Sequence, residues 1–113
     1  PDYAAFLLEI YRNRAHLSDE LFGEMVRPQN KADENVSWGL GVGIPAEDPS
    51  VVWHWGDNGG YRSFAVIDLN TGDGASVFTN SFAGTDLCME LLAGCTEAAF
   101  WNGIARFLET AEA

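Results

Sequence analysis

Basic residues are scarce in this chain: 6 Lys and Arg stand against 17 Asp and Glu, for a net charge of −11. Lys31 is the sole lysine, and the acids are spread over both halves of the sequence. Such a chain has little with which to replace the counterions of a phosphate backbone or an anionic bilayer, so neither nucleic acid nor membrane is expected as a partner. Long apolar runs are missing too. None approaches the ~20 residues of a membrane span, and no basic-then-apolar opening suggests a signal peptide. As given, the chain reads as soluble, and the sequence assigns it no compartment: an exported and a cytoplasmic parent both stay open.

Metal-ligating residues are equally few. His16 and His54 with Cys88 and Cys95 make no zinc spacing, and neither a metal nor a cofactor is expected. The two cysteines sit seven apart in a segment that reads as helix, which puts their Cα atoms about 10.5 Å apart at 1.5 Å per residue. A disulfide needs less than ~7 Å. They read as free thiols filling a core seam, which permits a reducing compartment.

What is present is a globular composition, 47% hydrophobic and 12% aromatic in 113 residues. Area scaling buries about two thirds of such a chain on folding, enough for one core without a metal or disulfide staple. Residues 1–113 therefore read as one domain. Asp2 can cap a helix with Tyr3, Phe6, Leu7 and Ile10 at helical spacing, running to about Asn13. Ser18 followed by Asp19 and Glu20 starts a second helix whose buried face is Leu21, Phe22, Met25 and Val26, ended by Pro28. Residues 28–35 are polar and read as an exposed loop.

From Val36 the pattern becomes short β-like runs: residues 36–44, 51–56, 61–69 and 74–81, separated by PAEDP, DNGG and NTGDG turns. Thr85 or Asp86 can cap a final helix carrying Leu87, Cys88, Leu91, Leu92, Cys95 and Ala99 on one face. Asn102-Gly103 is a candidate break before a last turn with Ile104, Phe107 and Leu108. The fold expected is α+β: two short N-terminal helices, an antiparallel sheet of about four strands, and a C-terminal helix packed on it.

Weaker signals dissolve on inspection. Gly39-x-Gly41-x-Gly43 lacks the third glycine offset and the following helix of a nucleotide loop, so it reads as strand glycines at a close approach. Ser63 has no base beside it in sequence. Trp38, Trp53, Trp55 and Trp101 read as core in preference to a ligand-stacking set.

The densest segment is His54-Trp55-Gly56-Asp57-Asn58-Gly59-Gly60-Tyr61-Arg62-Ser63. On chemistry alone it is a hairpin whose glycines serve the turn, with His54 a partly buried strand residue. The same decapeptide resembles the His-x-Gly…Gly-Tyr-Arg-Ser segment of the serine β-lactamase and penicillin-binding-protein superfamily, in the branch with class C β-lactamases, esterases and D-aminopeptidases. The likeness extends to PDYAAFLLEIYRN, LSDELFGEMVRPQ, VSWGLGVGI and FAVIDLNTGDGASVFTNS, over about residues 2 to 95, the last third of that fold.

The resemblance implies that His54-Trp55-Gly56 stands in the place of the third active-site motif. His54 would orient substrate, Gly56 would let the substrate backbone approach, and the main-chain N–H of Asp57 would be one oxyanion donor. Trp55 replaces a hydroxyl residue of many β-lactam binders, which favours an ester or peptide substrate. The Ser-x-x-Lys pair does not occur in the chain, since Pro28 stands three residues before Lys31. Tyr11-Arg12-Asn13 matches the second motif in form only, because it falls in the first helix. The expectation is a half-site that does not turn over substrate alone, or a non-catalytic module for oligomerisation or small-ligand binding. The resemblance further implies a missing N-terminal half, a free sheet edge at residues 74–81, and self-association into a homo-oligomer.

Overall fold

The computed structural model describes residues 2–95 and 100–112. Chain order gives α1 (Asp2–Asn13), α2 (Asp19–Met25), β1 (Asn30–Lys31), β2 (Val36–Trp38), β3 (Gly43–Pro45), β4 (Val51–Asn58), β5 (Tyr61–Asp68), β6 (Gly74–Thr79), α3 (Gly84–Cys95) and α4 (Phe100–Ala111). The strands form one antiparallel sheet in the order β1-β2-β3-β4-β5-β6. The α+β class and the antiparallel sheet between N- and C-terminal helices stand; the strand count is six, not four, and two helices, α3 and α4, follow the sheet where one was expected.

The two extra strands have local causes. Residues 36–44 fold back on themselves as β2 and β3, with Gly39 N–H bonded to Val42 C=O at 2.8 Å and Gly41 at φ +81°. That turn needs a left-handed residue, and glycine supplies it. Asn30 and Lys31, expected in a loop, pair with Trp38 and Ser37 as the short edge strand β1.

Residue alternation along the strands sends side chains to opposite faces. One face carries Val36, Val51, Trp53, Phe64 and Val66, sealed by Cys88, Leu92, Trp101, Ile104 and Leu108 of α3 and α4. The other carries Ile44, Val52, Ala65 and Ile67 against Leu7 of α1, with Tyr3, Val26 and Val42 at its margin. The sheet is therefore the middle of three layers.

Trp53 anchors the first core. It stacks on Phe64 at 5.4 Å and lies over the bare Cα of Gly43, where a Cβ would overlap the indole. All four tryptophans join this core: Trp53 and Trp101 are buried, and Trp38 and Trp55 pack half-buried against it. Several helix expectations need correction. On α2 only Phe22 is buried, and Leu21 faces out; on α1, Leu7 and Ile10 are buried while Phe6 is exposed. The short α2 spans barely two turns, too few to bury a wide stripe. Ser18 does cap it, its hydroxyl accepting from Leu21 N–H at 3.2 Å.

At the C-terminus, α3 starts at Gly84, and the Thr85 hydroxyl donates to Glu112 and does not cap the helix. Asn102-Gly103 lies inside α4, where Trp101, Ile104 and Leu108 keep the helical spacing of a buried stripe. Ala99 falls outside the described residues. Both cysteines are free; Cys88 is buried in the core, but Cys95 is exposed, so only one fills the seam.

Between α1 and α2 the chain makes one left-handed turn, with Arg14, Ala15 and His16 at φ +52°, +53° and +60°. Each such non-glycine residue costs roughly 1–2 kcal/mol. Side-chain pairs bracket the turn: Arg14 forms an ion pair with Asp19 at 3.2 Å, and His16 Nε2 lies 2.8 Å from a Glu9 carboxylate oxygen. Glu9 also accepts from the Asn13 amide at 2.8 Å, and this hydrogen bond, with the nearby His16, holds its carboxyl below the ordinary value.

Candidate functional site

The hairpin β4–β5 positions the candidate residues. Its turn is Gly59-Gly60, with Gly59 at φ +61° and only the first central residue left-handed, the pattern of a II′ turn. Gly56 then faces Ser63, and Trp55 faces Phe64. Alternation divides the four candidates: His54 and Gly56 point to the α1 face, Trp55 and Asp57 to the α3/α4 face. His54 is exposed, not the partly buried residue that chemistry alone suggests, and its ring has no hydrogen-bond partner among the described residues.

On the α1 face His54 lies where two clefts meet. One, of about 300 Å³, runs between α1 and the β2–β3 turn and is lined by Phe6, Ile10, Met25, Leu40 and Val52. The other, of about 200 Å³, is lined by Tyr3, Gly56, Ser63 and Phe78. A Cβ on Gly56 would meet Ser63 Oγ at 2.6 Å, so only glycine lets that hydroxyl sit there. Both clefts are apolar apart from His54, the Tyr3 hydroxyl and Ser63.

Strand pairing decides which main-chain groups are free. Asn58 and Tyr61 flank the turn and form its hydrogen-bonded pair, so the even residues of β4 bond to β5. The N–H of Leu69 on the carbonyl of Ser50, at 2.8 Å, keeps the same alternation. Odd residues of β4 point their N–H and C=O the other way, toward β3. There the pairing is a single match, Gly43 with Trp53. Beyond it, the main-chain groups of Trp55 and Asp57 lie on an open strand edge with no backbone partner among the described residues.

The Asp57 side chain is committed elsewhere. Its carboxylate takes Arg62 Nε at 2.8 Å, and Arg62 Nη1 reaches Glu112 at 2.9 Å. Glu112 accepts the Thr85 hydroxyl at 2.9 Å, and Arg62 Nε also donates to the Gly59 carbonyl at 2.9 Å. Arg62 and Glu112 are 14% and 15% exposed, so this is a largely desolvated network tying the hairpin to α3 and the end of α4. It pins one carboxylate oxygen of Asp57 to the hairpin, while the main-chain N–H of that residue points to the open edge.

Sequence reasoning did not place Trp38, Tyr3 or Phe78 at the site. The Trp38 ring lies 6.1 Å from that of His54 and 5.9 Å from that of Trp55. The place of Ser63 follows from counting outward from Gly59-Gly60 along both strands, which puts it opposite Gly56. Tyr11-Arg12-Asn13 lies at the end of α1, away from these clefts. Among the described residues no three His, Cys, Asp or Glu side chains cluster as metal ligands, and no helix is long and apolar enough to cross a membrane. No family model, no curated protein and no solved structure matches the chain.

Proposed function

We propose that the open β4 edge and the clefts beside His54 form the substrate-orienting and oxyanion half of an acyl-transfer site for ester or amide substrates. The observation that carries this reading is the N–H of Asp57, without a partner among the described residues, on a strand edge next to an exposed histidine. An extended substrate adds to such an edge through main-chain hydrogen bonds while its side chain enters the apolar cleft. When a nucleophile attacks the substrate carbonyl, the Asp57 N–H donates to the oxygen that gains charge, and His54 holds a polar group of the substrate. The nucleophile belongs to a serine-hydrolase partner segment, which makes this chain a half-site in the β-lactamase-like manner.

The test is an amide titration of the ¹⁵N-labelled chain with N-acetylalanine methyl ester. Saturable shifts at Trp55 and Asp57 are expected, and His54→Ala weakens them about five-fold, the worth of one hydrogen bond of ~1 kcal/mol. Incubation with a fluorophosphonate leaves the intact mass unchanged. Silence at Asp57, or a stoichiometric adduct on Ser63, overturns the reading.

A second reading rests on the His54 ring itself. With no carboxylate or hydroxyl bonded to it among the described residues, it is not held in one tautomer as a catalytic base is. On this reading the clefts bind a small apolar ligand without chemistry. Saturable shifts confined to Tyr3, Phe6 and Leu40, with Asp57 unmoved, would select it.

A further inference from the structure

We infer that two copies of this chain join edge to edge through β6, in antiparallel register about a twofold axis at Ser76. The inference does not rest on the reading of the His54 site, although Phe78 also lines one of its clefts. β6 has one neighbour, β5, and ends the sheet. The Asp68 N–H bonds to the Asp73 carbonyl at 2.8 Å, which fixes the alternation of this pair. Ala75, Val77 and Thr79 therefore bond inward to β5, and Gly74, Ser76 and Phe78 direct N–H and C=O outward.

The usual protections of an edge are missing here. Residues 74–84 contain no Lys, no Pro and no charge, in a chain of net charge −11. A second copy is repelled by most of this surface and least by this strip. Three outward-facing residues spaced evenly about Ser76 are self-complementary, as an isologous interface requires. Ser76 meets the other Ser76, and Gly74 meets Phe78 in both directions, giving six main-chain hydrogen bonds.

The side chains fit the same register. Gly74 and Phe78 both face α1, since their partners Ile67 and Ser63 do. Phe78 is 64% exposed and touches its own chain through Tyr3 at 5.8 Å. At the other end of the strand an apolar notch of about 160 Å³ opens between α1 and β6, lined by Ala4, Leu7, Leu8, Gly74 and Ser76. A cavity of ~150 Å³ takes a benzene ring. In the twofold register each Phe78 lies over the bare Cα of the other copy's Gly74, at that notch. A knob and a matching hole at opposite ends of one strand commit the edge to a copy of itself.

Light scattering on the 113-residue chain at about 100 μM should return twice the monomer mass. Ser76→Pro is the selective variant, because the N–H it removes makes no bond to β5; Phe78→Lys puts a charge at the knob. Both should return the monomer mass with an unchanged circular dichroism spectrum. In a Cys95→Ser background, Ser76→Cys should oxidise to a covalent dimer, since facing residues of a bonded pair lie about 5.5 Å apart at Cα. A wild-type monomer at this concentration overturns the inference, as does a dimer that survives both variants without the cross-link. Uptake of an extended peptide by a monomeric chain at β6 would assign the edge to a different occupant and also overturn it.

Discussion

The two faces of the sheet are built differently. Toward α3 and α4 the side chains are large and aromatic, and the layer is closed at its centre by Trp53, Phe64, Trp101 and Ile104, with a cavity of about 360 Å³ at its margin between Val51, Val66, Leu92 and Phe100. Toward α1 they are small and aliphatic, and the single helix over them leaves two clefts beside His54, the notch beside β6, and an exposed Phe6 and Leu40. A closed aromatic layer contributes stability, because buried area and dense contact both favour folding. An open layer contributes surface for binding. The division places the large aromatic side chains on one side of the strands and the exposed apolar ones on the other.

The largest break in this comparison comes from the closed face. Trp53→Ala should cost about 3–5 kcal/mol in urea unfolding, the range for emptying a buried aromatic site. Phe6→Ala, on the open face and 52% exposed, should stay within about 0.5 kcal/mol. Equal losses from the two would mean that the α1 layer carries as much of the core as the α3/α4 layer.

The Arg62 network is next. Glu112→Ala removes one partner from a guanidinium that is mostly out of water, with an expected loss of about 1.5–3 kcal/mol. Glu112→Gln keeps the acceptor for Thr85 and should recover part of it. A thermal melt of the two variants beside the wild type reads both effects.

The smallest effect sharpens the comparison through pH. Burial raises the Cys88 thiol above its ordinary value, with Glu112 adding in the same direction. A raised acid in the folded state means that the folded form resists thiolate. Its contribution is fully present below the unfolded thiol's pKa and is lost as pH rises from there toward the folded value. Urea midpoints between about pH 7 and pH 10 should fall more steeply for the wild type than for Cys88→Ala. Parallel slopes would place Cys88 in a wetter layer than the closed face described here.

Much of this architecture could be read from the chain, and the rest depended on contacts that no local pattern encodes. The β4–β5–β6 meander was legible because Gly59-Gly60 and the NTGDG turn separate runs of β-branched and aromatic residues. The split of residues 36–44 was not, because Gly39 and Gly41 look the same in a strand as in a turn. Asn102-Gly103 carries a helix-stop signal that the buried stripe of Trp101, Ile104 and Leu108 overrides. At the site, the positions of His54 and Gly56 on one face follow from counting. The freedom of the Asp57 N–H does not, since it depends on β3 ending where it does. Neither cleft could be foreseen, because each forms between a helix and strands distant in sequence.

The strand order also has a kinetic consequence. Each strand lies beside its predecessor, and no connection between neighbours exceeds the five residues that separate β3 from β4 and β5 from β6. Every closure is short, so its entropy cost is low and hardly grows from one hairpin to the next. The sheet can zip outward from the Gly59-Gly60 turn in both directions, a route that low contact order makes fast for an antiparallel protein. The slower event is then the docking of α1 and α4, the two ends of the chain, onto opposite sides of a sheet that has already formed.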